Sequence, residues 1–131
     1  MGASQTAELL SRCDLLRSLH RPGAPLLPPN VWDVATARAV VAAGFPVVAT
    51  GSVGVAAALG YEDHEAPAVE MLGAAARIAS CDVPVTVDAE AGYGMDPAEL
   101  AAALRSAGAA AVRRANAYLE AGADCVYPIG L

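Results

Sequence analysis

The sequence predicts an α/β fold, a parallel sheet of about four strands with covering helices, in a single domain spanning residues 1–131. Short apolar runs alternate with helical stretches along the chain. Those runs lack polar alternation, as strands buried on both faces do. The punctuation before strands also repeats, with Ala43-Gly44-Phe45 ahead of one and Ala121-Gly122-Ala123 ahead of another. This cadence belongs to a β/α barrel or to a doubly wound sheet. A complete eightfold barrel needs about 250 residues, so this chain has room for half a barrel or a small open sheet.

Each element has a local cause. Leu9, Leu10, Cys13, Leu16 and Leu19 fall near one helical face, which predicts a helix over Thr6 to His20. Arg21-Pro22-Gly23 ends it, closing an N-terminal helical segment over 1–23. Ala24 to Pro28 is short and apolar and is expected to be the first strand. Asp33 is a good N-cap for a helix through Ala43, and Gly44 supplies its left-handed stop. Pro46 to Thr50 follows as a buried strand. Gly51 to Gly60 is expected to be a loop, or a loop plus turn, of small residues. Pro67 suits the first turn of a helix through Ala79, and Val83 to Asp88 is another buried strand. Gly92-Tyr93-Gly94 makes a flexible loop. Asp96, Pro97 and Glu99 then form a cap, a first-turn proline and a capping-box acid. A helix ending at Ala121-Gly122 and a strand over Asp124 to Pro128 complete the pattern. Between them, Ala107-Gly108-Ala109-Ala110-Ala111-Val112 starts like a strand and runs straight into the helical Arg113 to Glu120 with no turn residue. A strand that begins and does not finish marks a seam near 107–113.

Composition excludes several classes of function. All eight basic residues are Arg, so no Lys of this chain can form a Schiff base. With a net charge of -6 and a pI near 4.7, the chain has only scattered Arg and lacks the basic face a nucleic-acid partner requires. Cys13, Cys81 and Cys125 lie far apart, outside redox or zinc spacing, and their sparse, odd count suits a cytoplasmic location. Ala39 to Tyr61 is uncharged and long enough to span a bilayer. It is broken by Gly44, Pro46, Gly51 and Gly54, and so reads as helix end, strand and loop, with no membrane partner. The start of the chain lacks the basic and apolar regions of a signal peptide.

The most informative stretch is Val85-Thr86-Val87-Asp88-Ala89-Glu90-Ala91-Gly92-Tyr93-Gly94. An apolar strand delivers two carboxylates at its C-terminal end, where parallel α/β folds place active sites. Their spacing by two puts both on one side of an extended chain. Two such acids can hold a hard cation such as Mg²⁺, or can be solvated loop acids. Ala49-Thr50-Gly51-Ser52-Val53-Gly54 leaves another strand end. Its bare amides can cradle a carboxylate or phosphate, although glycine-rich strand ends are common; without Lys it is not a P-loop. Gly60-Tyr61-Glu62-Asp63-His64-Glu65 can add acids to the same mouth or be a charged surface turn. His20 and His64 have no second ligand at metal-binding spacing and read as surface residues.

Five segments occur in order: Pro29-Asn30-Val31-Trp32-Asp33, Ala49-Thr50-Gly51-Ser52, Leu59-Gly60-Tyr61-Glu62-Asp63, Asp88-Ala89-Glu90-Ala91-Gly92-Tyr93-Gly94 and Ala115 to Asp124. Together they resemble the isocitrate lyase/phosphoenolpyruvate mutase family across nearly the whole chain after about Leu26. The resemblance implies a partial (β/α) barrel of the TIM type and a Mg²⁺-dependent lyase or phosphonomutase. Such an enzyme makes or breaks C–C or C–P bonds of small 2-oxo or dicarboxylic acids through an enolate. It implies that Asp88 is the principal metal carboxylate and Glu90 the second metal acid. Asp63 and Asp88 would be the catalytic acids, and Thr50, Gly51 and Ser52 the loop that binds the substrate carboxylate. It also implies a homo-oligomer.

The departures are as informative. Between Leu104 and Arg113 the family would carry about two further strands and a mobile gating loop with a Lys. The chain is therefore expected to be an internally deleted and C-terminally short member. The alternative function is a catalytically inactive half-barrel that associates with itself or with a full-length relative.

Overall fold

The computed structural model describes residues 2–112. The helix and strand expected over 113–128 lie outside the described residues. In order, the elements are α1 (Ala3–Leu19), β1 (Asn30–Val31), α2 (Val34–Ala42), β2 (Val48–Thr50), α3 (Ser52–Leu59), α4 (Ala68–Ile78), β3 (Val85–Val87), α5 (Pro97–Ser106) and β4 (Ala111–Val112). The sheet runs β1-β2-β3-β4 and every pairing is parallel. A doubly wound sheet reverses its strand order at a switch point. Here each strand adds beside the one before it, which is the progression of a β/α barrel.

Val48, Ala49 and Thr50 are all buried, as are Val85, Thr86 and Val87, so the two central strands are covered on both faces. Helix α4 turns Met71, Ala74, Ala75 and Ile78 inward, and α5 adds Leu100, Ala101 and Leu104. These positions follow the 3.6-residue period of a half-buried helix. Ile78, Leu100 and Leu104 are among the largest fully buried side chains, each worth about 1.5–3 kcal/mol of burial. The two helix starts read from acidic caps form as expected. Asp33 accepts the Thr36 N–H at 2.7 Å, and Asp96 accepts those of Ala98 and Glu99 at 2.9 and 3.0 Å. Gly44 ends α2 at φ +91°.

Two expectations are corrected. Ala24 to Pro28 is not a strand. Only an isolated antiparallel bridge, Arg21 to Ala24, forms there, and the first strand is Asn30–Val31. Pro25, Pro28 and Pro29 have no N–H to give to a ladder, though the Pro29 carbonyl accepts the Ala49 N–H at 2.9 Å. Nor is Gly51 to Gly60 a loop: Ser52 to Leu59 is helical, with Gly51 and Gly60 as its caps. Gly54 sits inside that helix because a Cβ there would lie 3.3 Å from the Trp32 Cβ.

Helix α1 lies across the N-terminal ends of the strands. Cys13 and Leu16 pack with Val47 and Ala110, the residues just before β2 and β4. The Cys13 Sγ–H points to the Ala110 carbonyl at 3.5 Å, and the Arg12 guanidinium donates to the Ala79 carbonyl at 2.8 Å. The N-terminal helix thus closes one end of the sheet and leaves the other to the strand-end loops. Among the described residues no helix is long and apolar enough to cross a membrane.

Candidate functional site

The C-terminal ends of β2 and β3 meet through side chains. Thr50, the last residue of β2, is buried, and its hydroxyl accepts the Asp88 N–H at 2.9 Å. The next residues open α3, whose Ser52 N–H points to Asp88 Oδ2 at 3.5 Å. Asp88 Oδ1 accepts the Glu90 N–H at 3.1 Å. The Asp88 carboxylate is therefore held between a helix N-terminus, which favours negative charge, and the peptide that carries Glu90. Gly51 passes close to Asn30, where a Cβ would lie 3.2 Å from the Asn30 amide nitrogen.

The two acids do not lie on one extended strand. The strand ends at Val87, and Glu90 takes a left-handed backbone at φ +49°. Alternation by two therefore does not relate their side chains. Glu90 Oε2 meets His64 Nδ1 at 3.0 Å, while His64 Nε2 lies 3.3 Å from Asp63 Oδ2. Asp63 thus joins the cluster through His64. The neighbouring acids hold the imidazole proton above the ordinary histidine range: first the hydrogen bond to Glu90, then the charge of Asp63, with Asp88 contributing. Burial pushes the Tyr93 hydroxyl up, and the charges of Glu90 and Asp88 add to it.

His64 is the residue that sequence spacing did not single out as a participant. Its partners are its own neighbour and a glutamate 26 positions later. The available signal is its place inside the acidic run Gly60 to Glu65, which can face the mouth. Asp63, His64 and Glu90 offer one ligand atom each, all within 4.8 Å of one another, and Asp88 is not in that group. The Glu90 side chain is 8% exposed. Its Oε1 is buried with no hydrogen-bond partner, an arrangement that costs free energy unless a cation or donor meets it. A carboxylate set with one buried oxygen to spare fits a divalent cation.

A cleft of about 320 Å³ lies at the other end of the sheet, between α1 and the ends of α4 and α5. Arg12 within it is already engaged by Glu8 and the Ala79 carbonyl. In barrels that face serves stability, whereas chemistry occupies the C-terminal face.

The phosphoenolpyruvate phosphomutase family profile matches residues 16–112. An uncharacterized protein of Mycobacterium tuberculosis is 39% identical over 94 residues, which cover 69% of this chain and 36% of that protein. Among solved structures, a Burkholderia cenocepacia J2315 protein provisionally named a phosphonomutase is 44% identical with a TM-score of 0.75, covering 79% of this chain and 44% of its own. The structure of 2,3-dimethylmalate lyase, a member of the PEP mutase/isocitrate lyase superfamily, is 25% identical with a TM-score of 0.73. That match covers 91% of this chain and 51% of the lyase. The chain is thus short beside its relatives and shares with them part of a TIM-type barrel. Parallel strands added in sequence order, a strand-end cluster of acids and a profile match over most of the chain agree: the protein belongs to the phosphoenolpyruvate mutase family.

Proposed function

We propose that the strand-end site binds a small 2-oxo or dicarboxylic acid and makes or breaks a C–C or C–P bond beside its carboxylate, through an enolate and with Mg²⁺ as cofactor. The observation that carries this reading is the junction of β2 and β3, where the Thr50 hydroxyl and the Ser52 N–H both reach Asp88. That junction sets Asp88 beside the first-turn amide of Ser52 in α3. Asp88 and Glu90 would hold the cation, with Asp63 at the rim. The buried, unpartnered Glu90 Oε1 is the feature of the chain that suits one. When bound, Mg²⁺ supplies positive charge for a developing oxyanion, a contribution that is usually large.

The rest falls to the chain itself. Thr50, Gly51 and Ser52 would receive the substrate carboxylate, because the first N–H groups of a helix have no intrahelical acceptor and carry partial positive charge. The Thr50–Asp88 bond would keep the carboxylate-binding turn and the acid in fixed register, so that little reorganisation is needed when charge develops. Asp63 and Asp88 would be the acids that act on the substrate. Three cysteines set far apart, outside redox or zinc spacing, suit a reducing compartment, so the reaction is assigned to the cytoplasm.

The test is turnover of phosphonopyruvate, oxaloacetate and 2-methylisocitrate by the purified chain with Mg²⁺, followed by NMR. Product from one of them, lost in Asp88→Ala, is expected. No product from any of them would refute the reading.

The sheet itself favours a second reading, a half-barrel that closes against another copy. Strand β1 pairs on one side only among the described residues, and Leu27 before it is 74% exposed. An open edge of this kind invites a partner strand. Light scattering that found a folded monomer at all concentrations would dispose of this second reading.

A further inference from the structure

We infer that Asp63, His64 and Glu90 form a mixed nitrogen–oxygen site for a first-row transition-metal dication, with the His64 imidazole as a direct ligand. This rests on the reading of Glu90 as a cation ligand, but it requires neither Asp88 nor turnover. The ligand atoms of the three side chains lie within 4.8 Å of one another. Ligands on opposite sides of one ion, bound at about 2.0–2.2 Å, stand about 4.0–4.4 Å apart, so small side-chain adjustments bring all three onto one centre. Glu90 supplies the independent observation. Its side chain is more than nine-tenths buried, one oxygen already faces His64, and the other has no partner among the described residues.

The donor set decides the class of ion. Mg²⁺ keeps oxygen ligands and water in near-ideal octahedra. An imidazole beside two carboxylates instead suits the transition dications, for which nitrogen donors raise affinity. In the unliganded chain the imidazole bridges both acids, 3.0 Å from Glu90 and 3.3 Å from Asp63. A dication bound by one ring nitrogen replaces those bridges and satisfies the spare carboxylate oxygen as well.

The experiment uses Mn²⁺ alone as the probe, added to the full chain and followed by electron paramagnetic resonance. Loss of the free-ion signal gives the affinity, and electron spin-echo modulation reports any ¹⁴N bound directly to the ion. One Mn²⁺ per chain with ¹⁴N coupling is expected, held against a tenfold excess of Mg²⁺. His64→Ala should abolish the coupling and weaken binding by at least about tenfold, the scale on which even outer-shell changes act. His20→Ala should keep both, since that ring is engaged at the end of α1 by the Leu16 carbonyl at 2.8 Å. His64 is 67% exposed, and thermal melts of both variants check folding. Mn²⁺ bound without ¹⁴N coupling, or bound equally by His64→Ala, would overturn this inference and leave the proposed reaction standing. Coupling without turnover of any substrate would do the reverse. Absence of saturable Mn²⁺ binding would also overturn it.

Discussion

Replacing Thr50 by valine tests the junction on which the site depends. The substitution keeps the shape of a buried, β-branched residue at 2% exposure and removes the oxygen that accepts the Asp88 N–H at 2.9 Å. The Asp88 N–H then loses this acceptor. A buried unsatisfied N–H costs about 1–3 kcal/mol, and Asp88 is half-buried, so the lower part of that range applies, about 1–2 kcal/mol. For a chain of this size each kcal/mol moves the melting temperature by about 3–5 °C, giving an expected fall of about 3–10 °C. Thr86→Val is the matched control. Thr86 is also buried, at 9%, and pairs with Ala49 in the neighbouring strand. Its hydroxyl makes no hydrogen bond among the described residues, so exchange for valine should be near neutral. Both variants gain the same strand propensity, and their difference isolates the bond. Thermal and urea unfolding by circular dichroism measure it. If Thr50→Val proved as stable as Thr86→Val, the hydroxyl would not tie β2 to β3 and the shared register of turn and acid would be lost.

Three further outcomes are expected. Asp96→Ala removes the acceptor of the Ala98 and Glu99 N–H groups and should cost about 1 kcal/mol, with faster amide exchange confined to the first turn of α5. Gly44→Ala should cost about 1–2 kcal/mol in urea for its left-handed backbone alone, since nothing lies within 4 Å of the new Cβ. Gly108→Ala should cost more, because its Cβ would also meet that of Ala79 at 3.3 Å. The third concerns acid. Hydrogen bonds from the Thr36 N–H and hydroxyl hold the Asp33 carboxyl below its ordinary value. The folded state therefore takes up this proton less readily than the unfolded state. The stabilisation is present above the unfolded pKa and is lost as pH falls through the lowered folded one. Asp33→Asn should flatten the loss of melting temperature below the ordinary carboxylate range, and an unchanged acid limb would refute this account.

Parts of the molecule could be read directly because their causes are local. Asp33 with Gly44, and Asp96 with Pro97 and Glu99, fix helix ends through groups a few residues apart. The meeting of Thr50–Ser52 with Asp88 was also legible, since parallel strands of one sheet bring their C-terminal ends to one side. Helix α3 was not legible. Its glycines at 51, 54 and 60 signal a loop, and the reason Gly54 tolerates a helix is the Trp32 side chain 22 residues earlier. The first strand lies later than apolar character alone suggests, because Pro25 and Pro28 have no N–H to give to a ladder. His64 stayed hidden because its contact is made with Glu90 on a neighbouring strand-end loop, and spacing along the chain carries no trace of that contact.

The residues that break local rules lie together. Among the described residues, the non-glycine positions with positive φ are His64, Glu90 and Tyr93. All three belong to the turn after α3 and the loop after β3, at the same end of the sheet. The described helices and strands keep ordinary backbone geometry. A left-handed non-glycine residue costs about 1–3 kcal/mol and persists only where its surroundings over-determine it. Here the restraints are visible: the His64–Glu90 contact ties two of the strained residues to each other, and Tyr93 packs against the main core cluster. Relaxing either loop toward a common backbone conformation would displace one partner of the His64–Glu90 contact. The strain and the cluster of ligand atoms are therefore one feature. A fold that keeps such a cost on its chemical face, and nowhere else in its described backbone, concentrates its departures where preorganisation has a use.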